Sequence, residues 1–388
     1  MRGWKRIARR SICPFSQLQE DPVGITLDKI RRAVQDPRYA SKVLMQRFAW
    51  RQQLERVPFG PTVLNIETTN KCNLHCTMCQ REFGETQKIL QANSGLMSME
   101  TYRKILPFFP GAKRIALSGF GETFLHPEFA EMLRLAKEHS PAHTTVYTNG
   151  TVLNEKKAEA IVRLGLDCLS NSIDGATKEV YEPIRGISLD HLIKNLKALQ
   201  RIKQELGSDK PEVILQMVAM RQNLDDLPRL VELAHEVGAA EVSIVNLTVH
   251  ADHLREQSLY LHRGEAERVF QKARAVAEKL DVRLSLPGFD DHVAGLRCFL
   301  TDLFVTFDGL VLSCALERHT LGSLKETSIQ EIWNNAQMAH LRKRMYQEGI
   351  GCVCTGCPYN EVTQDAHLAP YDVGSTRRRL DQTTVAAK

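Results

Sequence analysis

The sequence predicts an α/β protein in which a partial barrel of parallel strands is followed by a small α+β domain. Strand-like and helix-like segments alternate about six times along most of the chain, and such alternation produces parallel βαβ units. Because about six units are fewer than the eight of a closed barrel, the barrel is expected to remain partial. After Pro287-Gly288 the pattern changes to a short hairpin, which marks the second domain.

A helical segment is predicted before the barrel. Its apolar spacing runs from Leu27 to Glu55 and is interrupted near Asp36-Pro37. The first barrel strand is predicted over 62–68. The later strands are predicted at 114–118, 144–148, 168–173, 213–220 and 241–247, with helices over 129–137, 155–164, 189–205, 227–237 and 264–280.

These segments divide the chain into four parts. The parts are a helical N-terminal extension (1–58), the barrel (59–286), the α+β domain (287–362) and a tail expected to be mobile (363–388). The hairpin of the α+β domain spans Leu303–Leu312 and is predicted to turn at Asp308-Gly309.

The composition is that of an ordinary globular chain, with 43% hydrophobic and 25% charged residues. The absence of a long apolar run excludes a transmembrane helix. A net charge of +5, spread along the chain, does not indicate a nucleic-acid partner. The basic residues between Arg2 and Arg10 are compatible with weak contact to an anionic membrane surface, although a solvated arm is the simpler interpretation. Clustered thiols without a secretory signal predict a reducing cytoplasm.

The placement of the cysteines carries the clearest chemical signal. Cys72, Cys76 and Cys79 lie in one short loop directly after the first predicted strand, where barrel enzymes place catalytic groups. Structural zinc sites and ferredoxin clusters need four ligands, so three thiolates leave one coordination position open. His75 is the alternative fourth ligand for zinc, but it would have to turn back into the same loop. Cys168, at the start of a predicted strand, is expected in the core.

The Cys-x3-Cys-x2-Cys loop in this setting resembles the radical S-adenosylmethionine (SAM) superfamily over residues 60–285. The resemblance implies a partial (β/α)6 TIM-like barrel. It also implies that Cys72, Cys76 and Cys79 hold a 4Fe-4S cluster whose remaining iron is chelated by SAM. An electron from a flavodoxin or ferredoxin-type reductant would then cleave SAM to a 5'-deoxyadenosyl radical, which abstracts hydrogen from a substrate carbon.

The same resemblance implies further SAM contacts at the strand ends. They are Met78, Gly121, Glu122, Asn149, Ser172, Asp174 and Arg185. Gly121 and Glu122 match the family's Gly-Gly-Glu-Pro motif, whereas Phe120 and Thr123 depart from it. Met78 would pack on adenine or simply fill the core, and Arg185 would lie near the SAM carboxylate or form a surface ion pair.

A second set of cysteines resembles the twitch domain, the shortened relative of the SPASM domain. This resemblance implies one auxiliary 4Fe-4S cluster held by Cys298, Cys314, Cys354 and Cys357. Cys352 could replace Cys354, and zinc is the alternative to an iron-sulfur cluster. A full SPASM domain has seven cysteines for two clusters, whereas no cysteine follows Cys357.

The sequence therefore predicts a radical SAM oxidoreductase whose auxiliary cluster assists electron transfer while a small metabolite is oxidised or epimerised. A peptide-modifying maturase is the alternative substrate class, disfavoured because residues 1–58 lack the strand pattern of a leader-binding winged helix. A non-catalytic iron-sulfur carrier is the alternative of another class. No residue at a strand end is identified as a general base or hydrogen donor.

Overall fold

The computed structural model describes residues 36–289, 298–314 and 320–348. Several predictions concern residues outside these ranges. They are the basic N-terminal segment, the ligands Cys354 and Cys357, the alternative ligand Cys352, and the tail 363–388.

The strands form one mostly parallel sheet. They are β1 (Val63–Ile66), β2 (Arg114–Ala116), β3 (His143–Thr148), β4 (Cys168–Ser172), β5 (Glu212–Ala219), β6 (Glu241–Asn246), β7 (Arg283–Ser285), β8 (Asp302–Val305), β9 (Leu310–Leu312) and β10 (Thr320–Ser323). Their order is β10-β9-β8-β1-β2-β3-β4-β5-β6-β7. Every neighbouring pair from β8 to β7 is parallel, and β9 and β10 add to β8 in antiparallel fashion. The predicted α/β fold with a partial barrel is confirmed, and the short β7 extends it beyond the predicted strands.

The described helices lie before, between and after these strands. They are α1 (Pro37–Arg51), α2 (Gly84–Ala92), α3 (Met99–Arg103), α4 (Phe129–His139), α5 (Glu155–Arg163), α6 (Lys178–Arg185), α7 (Leu189–Glu205), α8 (Leu227–Glu236), α9 (Arg263–Leu280), α10 (Cys298–Thr301), α11 (Ile329–Trp333) and α12 (Ala336–Glu348). In the described part of the chain, no helix has both the length and the apolar character that crossing a membrane requires.

One face of the strands β1–β6 is largely buried beneath the helices. Leu64 and Ile66 of β1 and Leu215 and Met217 of β5 are all 0% exposed and belong to one large apolar core. Burying a side chain of this size contributes about 1.5–3 kcal/mol. Because successive side chains of a strand point to opposite faces, the alternate residues point into the barrel, and this second face is called the lumen face below.

Helix α1 packs across the amino ends of β1 and β8. It begins at Asp36, whose carboxylate accepts hydrogen bonds from the backbone N–H groups of Arg38 and Tyr39 at 3.0 and 3.2 Å. The predicted interruption at Asp36-Pro37 is thus a helix start. The Gln46 side chain donates to Thr62 Oγ1 at 3.3 Å and to the Leu300 carbonyl at 3.1 Å, which joins α1 to the residues just before the two strands.

The predicted hairpin is present, but its first strand lies inside the barrel sheet. β8 pairs in parallel with β1 and in antiparallel fashion with β9. The turn needs Gly309 because φ is +88° there, a region that favours glycine. β1 is therefore the strand that joins the barrel to the C-terminal part of the sheet. The domain boundaries at residues 58, 286 and 362 stay predictions.

Arg342 of α12 connects three parts of the chain from a fully buried position. Its guanidinium donates to the carbonyls of Phe299, Glu55 and Trp333 at 2.9, 3.0 and 2.9 Å. It also stacks over the Trp333 ring, 4.5 Å from the centroid. Since Phe299 follows Cys298, this side chain fixes α12 against the helix that carries a predicted cluster ligand.

Replacing Arg342 with Met should destabilise the protein. The substitution leaves the buried carbonyls of Phe299 and Trp333 and the partly buried carbonyl of Glu55 without this donor, and each loss at a buried acceptor costs about 1–3 kcal/mol. We expect the urea midpoint to fall by the equivalent of at least about 2 kcal/mol. The matched control is Lys343→Met at the neighbouring exposed position, which should leave the midpoint near wild type. Equal midpoints for the two variants would contradict the role assigned to Arg342.

Candidate functional site

The cysteine loop begins a few residues after β1 and turns back onto α6. The backbone N–H of Thr77 donates to the Ile184 carbonyl at 3.0 Å, and that of Cys79 donates to the Cys76 carbonyl at 3.0 Å. Cys72, Cys76 and Cys79 are free thiols that face one another closely enough to interact electrostatically. Burial raises the pKa of Cys76, and it raises the pKa of Cys79 to about 11. Deprotonated sulfur at this site therefore needs a positive partner.

An apolar collar surrounds the thiols. It is contributed by the loop itself, by α6 and by the chain that follows β5 and β6, and the buried side chains that cluster with Cys76 are Leu74, Met78, Ile184, Met220, Leu247, Val249 and Leu254. Met78 is 7% exposed within it. An apolar, water-poor surrounding of this kind suits an oxygen-sensitive iron-sulfur group.

The thiols do not form a site for a single ion. In the residues that the structure describes, no three His, Cys, Asp or Glu side chains converge on one metal position. The exposed His75 turns outward, with Nδ1 3.1 Å from Glu82 Oε1. In a 4Fe-4S cluster each cysteine binds a different iron, so its thiolates lie farther apart than those around one zinc. The donor set fits a cluster and disfavours the zinc alternative at this loop.

The loop after β2 packs tightly on the residues that lead into the cysteine loop. A Cβ at Gly121 would lie 2.4 Å from the Lys71 carbonyl oxygen and 2.5 Å from that of Thr69, so only glycine fits. The backbone N–H of Glu122 donates to the Lys71 carbonyl at 2.8 Å. The predicted Gly-Glu pair thus lies directly against the cysteine loop.

Glu122 holds the backbone of Asn149 through a hydrogen bond. Its buried carboxylate accepts hydrogen bonds from Thr148 Oγ1 at 2.8 Å and from the backbone N–H groups of Phe124 and Asn149 at 3.1 and 2.7 Å. Burial raises the pKa of Glu122, and these hydrogen bonds oppose the rise. The Asn149 amide in turn donates to Asn73 Oδ1 at 3.0 Å and approaches Cys72 Sγ at 3.9 Å.

Asp174 and Arg185 form a buried ion pair next to Cys76. Asp174 is 0% exposed and accepts a hydrogen bond from the Val218 backbone at 2.8 Å, and its other oxygen pairs with Arg185 Nε. Arg185 Nη1 lies 3.6 Å from Cys76 Sγ. The pair is therefore part of the site and is not a surface ion pair. Ser172 lies half-buried at the end of β4.

Glu67 is a polar residue of the site that sequence reasoning missed. It follows β1 and is 1% exposed. Its two oxygens accept the backbone N–H groups of Phe120 and Phe307 at 3.0 and 3.3 Å. One side chain thus joins the loop after β2 to the β8–β9 turn. The sequence signal that could have identified Glu67 is a carboxylate directly after a buried strand. Asn73, within the cysteine loop, is a second site residue that sequence reasoning missed.

Two of the four cysteines predicted to bind the auxiliary cluster lie within the described residues. Cys298 starts α10, and Cys314 follows β9, so the two flank the β8–β9 hairpin and are both half-buried. Cys354 and Cys357 lie outside the described residues.

The lumen face of the barrel is mainly polar and partly exposed. Its half-buried members include Asn65, Arg114, His143, Tyr147, Ser172 and Gln216. Arg114 Nη1 donates to Tyr147 Oη at 3.3 Å, and Ser170 Oγ donates to Gln216 Oε1 at 2.8 Å. A closed barrel fills its interior with packed apolar layers, so this polar, half-buried lining makes the lumen the candidate place for a bound molecule.

Two family models match the chain. The model of the Radical SAM superfamily matches residues 66–234, which run from the last residue of β1 through the cysteine loop and β2–β5 into α8. The model of the SPASM iron-sulfur cluster-binding domain matches residues 298–358, which begin at Cys298 and extend past Cys357.

Curated relatives match over most of the chain. A tungsten-containing aldehyde ferredoxin oxidoreductase cofactor-modifying protein of Pyrococcus furiosus is 24% identical, over 72% of this chain and 82% of the relative. A PqqA peptide cyclase of Granulibacter bethesdensis is 26% identical, over 78% of this chain and 81% of the relative.

The fold is shared with a solved structure, that of Streptococcus suis SuiB bound to the precursor peptide SuiA. The TM-score is 0.57 at 14% identity, over 82% of this chain and 72% of SuiB. Together with the three-thiol loop after β1 and the partial parallel barrel, these matches assign the chain. It belongs to the radical SAM superfamily of enzymes, which use a 4Fe-4S cluster and SAM, and it carries a C-terminal iron-sulfur cluster-binding domain of the SPASM type.

Proposed function

We propose that this chain is a radical SAM oxidoreductase that modifies a carbon of a polar small metabolite bound at the lumen face. The observation that carries the proposal is the position of three clustered thiols, of which Cys76 is buried and Cys72 and Cys79 are half-buried, at the carboxyl edge of a barrel whose interior is polar and half-buried. When bound, the cluster and SAM supply one-electron reduction of a sulfonium and hydrogen abstraction from an unreactive carbon.

We assign the SAM-binding cluster to Cys72, Cys76 and Cys79. The apolar collar supports this assignment because it limits the access of water and oxygen to the thiolates. The tight contact of Gly121 with the carbonyls of Lys71 and Thr69 holds the loop after β2 against the cysteine loop, which supports a role for its backbone in binding SAM.

The other SAM contacts are proposed in two groups. Met78, Gly121, Asn149 and Ser172 lie beside the thiols or at the ends of the strands, where direct contact is open to them. Glu122 and Asp174 are enclosed and already bonded to the chain, so we propose that they act through Asn149 and Arg185.

The auxiliary cluster is proposed to be ligated by Cys298, Cys314, Cys354 and Cys357. A cluster with four protein ligands has no open position for substrate, which favours a role in accepting or passing an electron. Net oxidation of a substrate radical requires such an acceptor. We propose a flavodoxin or ferredoxin-type reductant as the external partner and the cytoplasm as the compartment.

The substrate class follows from the lumen face. Asn65, Ser172 and Gln216 present neutral hydrogen-bonding groups, and Arg114, at the start of β2, donates a hydrogen bond to Tyr147 near the end of β3. Such a lining favours a molecule with several hydroxyl or amide groups, for example a sugar or cyclitol.

A peptide substrate is the second candidate. It is favoured by the match to a PqqA peptide cyclase over 81% of that protein. The argument against a leader-binding winged helix depends in part on residues 1–35, which lie outside the described residues, so it weighs less than the sequence suggested.

Reductive cleavage of SAM tests the function. Anoxically reconstituted protein given SAM and dithionite should release 5'-deoxyadenosine, whereas Cys76→Ala should reduce the release at least about a hundredfold because one iron ligand is lost. Cys168→Ala, which removes a buried thiol packed on Ile214, is the matched control and should stay active. SAM that remains intact with the wild type would favour the non-catalytic carrier.

Iron content tests the auxiliary cluster. Changing Cys314 and Cys357 together to Ala should lower the iron bound after anoxic reconstitution by about four atoms per chain. The cluster at Cys72, Cys76 and Cys79 should remain, seen as retained SAM cleavage. An unchanged iron content in the double variant would refute the second cluster.

Deuterium transfer distinguishes the two substrate classes. Candidate sugars, cyclitols and peptides, each deuterated at carbon, are incubated with enzyme, SAM and reductant. The true substrate should transfer deuterium into 5'-deoxyadenosine, and Gln216→Leu should weaken its apparent affinity about tenfold through the loss of a hydrogen-bonding group in the lumen. Transfer from peptides alone would replace the metabolite proposal with the peptide candidate.

A further inference from the structure

Arg185 reaches the proposed SAM-binding cluster from the end of α6. Its Nη1 is 3.6 Å from Cys76 Sγ, and its Nε pairs with the Asp174 carboxylate. Arg185 is 8% exposed and Asp174 is 0% exposed, so both charges have been withdrawn from water. An enclosed ion pair is often no more stabilising than apolar residues of the same volume. Its presence beside a ligand sulfur therefore points to a role other than stability.

The surroundings hold the guanidinium in place. The Val218 backbone N–H donates a hydrogen bond to the other Asp174 oxygen at 2.8 Å, and this bond fixes the orientation of the carboxylate. Helix α6 ends directly after Arg185, at Gly186 with φ +72°. The bond from Thr77 to the Ile184 carbonyl ties this helix end to the cysteine loop. The distance from Arg185 to Cys76 is thus set by the backbone on both sides.

We propose that Arg185, held by Asp174, is a positioning residue that donates a hydrogen bond to the Cys76 sulfur and raises the reduction potential of the SAM-binding cluster. Reduction adds one electron from the external reductant and moves no atom. A hydrogen-bond donor with a positive charge stabilises the added negative charge on the cluster sulfurs. The inference rests on the proposed function because it requires Cys76 as an iron ligand.

One measurement distinguishes the proposed effect of Arg185 on the cluster's reduction potential from a contact of Arg185 with the SAM carboxylate. An arginine that acts only on SAM changes SAM binding and leaves the cluster without SAM unaffected. An arginine that acts on the Cys76 sulfur changes the reduction potential even when SAM is omitted.

The experiment is a redox titration of the anoxically reconstituted full-length protein without SAM, followed by electron paramagnetic resonance. The signal that later addition of SAM perturbs identifies the SAM-binding cluster. Arg185→Met should lower the equilibrium constant for one-electron reduction at least tenfold, which corresponds to about 59 mV. Arg185→Lys keeps the positive charge but loses the planar guanidinium with its several N–H donors, so it should lower this equilibrium constant less than Arg185→Met does.

Two further variants serve as controls. The double variant Asp174→Asn/Arg185→Met leaves no unpaired buried carboxylate, so it should fold even if the single variant Arg185→Met does not. It should show the same decrease in the equilibrium constant for reduction as Arg185→Met. Arg201→Met removes an exposed arginine of α7 that pairs with Glu155 and Glu205, and it should keep the wild-type potential.

An unchanged potential in both methionine variants would overturn the inference. A change that appears only with SAM present would overturn it as well, because Arg185 would then act on SAM. If Cys76→Ala left the iron content of the protein unchanged, the proposed function would fail, and this inference with it.

Discussion

The parallel pairing of β1 on both of its edges is the constraint on which the rest of the structure depends. β1 bonds to β2 on one side and to β8 on the other. Because parallel strands place their carboxyl ends at the same edge, the cysteine loop, the loop after β2 and the β8–β9 turn meet there. Glu67 joins the loop after β2 to the β8–β9 turn by accepting hydrogen bonds from the backbone N–H groups of Phe120 and Phe307.

The polar chemistry around the thiols is arranged in two comparable pairs. Glu122 holds Asn149 next to Cys72, and Asp174 holds Arg185 next to Cys76. In each pair a buried carboxylate fixes a donor that reaches a sulfur. Burial raises the pKa of both carboxylates; this cost is partly offset at Glu122 by hydrogen bonds, mainly from the backbone, and at Asp174 by the charge of Arg185 and a hydrogen bond from the Val218 backbone. The pairs therefore resist rearrangement, which suits a site that must hold a cluster in one geometry.

Much of the fold could be predicted because it depends on local patterns. The predicted helix over 189–205 agrees with α7, and the predicted strands match β1–β6. The hairpin turn at Asp308-Gly309 was also predicted, since the turn requires a glycine with positive φ. The pairing of β8 with β1 was not predicted, because contacts between residues more than two hundred positions apart leave no mark in the local pattern.

The sequence by itself determined the chemistry of the site. Three thiols in one short loop after a strand indicate an open cluster. Only the tertiary structure decided which side chains act on those thiols. Arg185 lies more than a hundred residues after Cys76, and its charge could have pointed to solvent. Its burial against Asp174 and Cys76 results from how α6 packs on the cysteine loop, and packing of distant segments is not written in residue spacing.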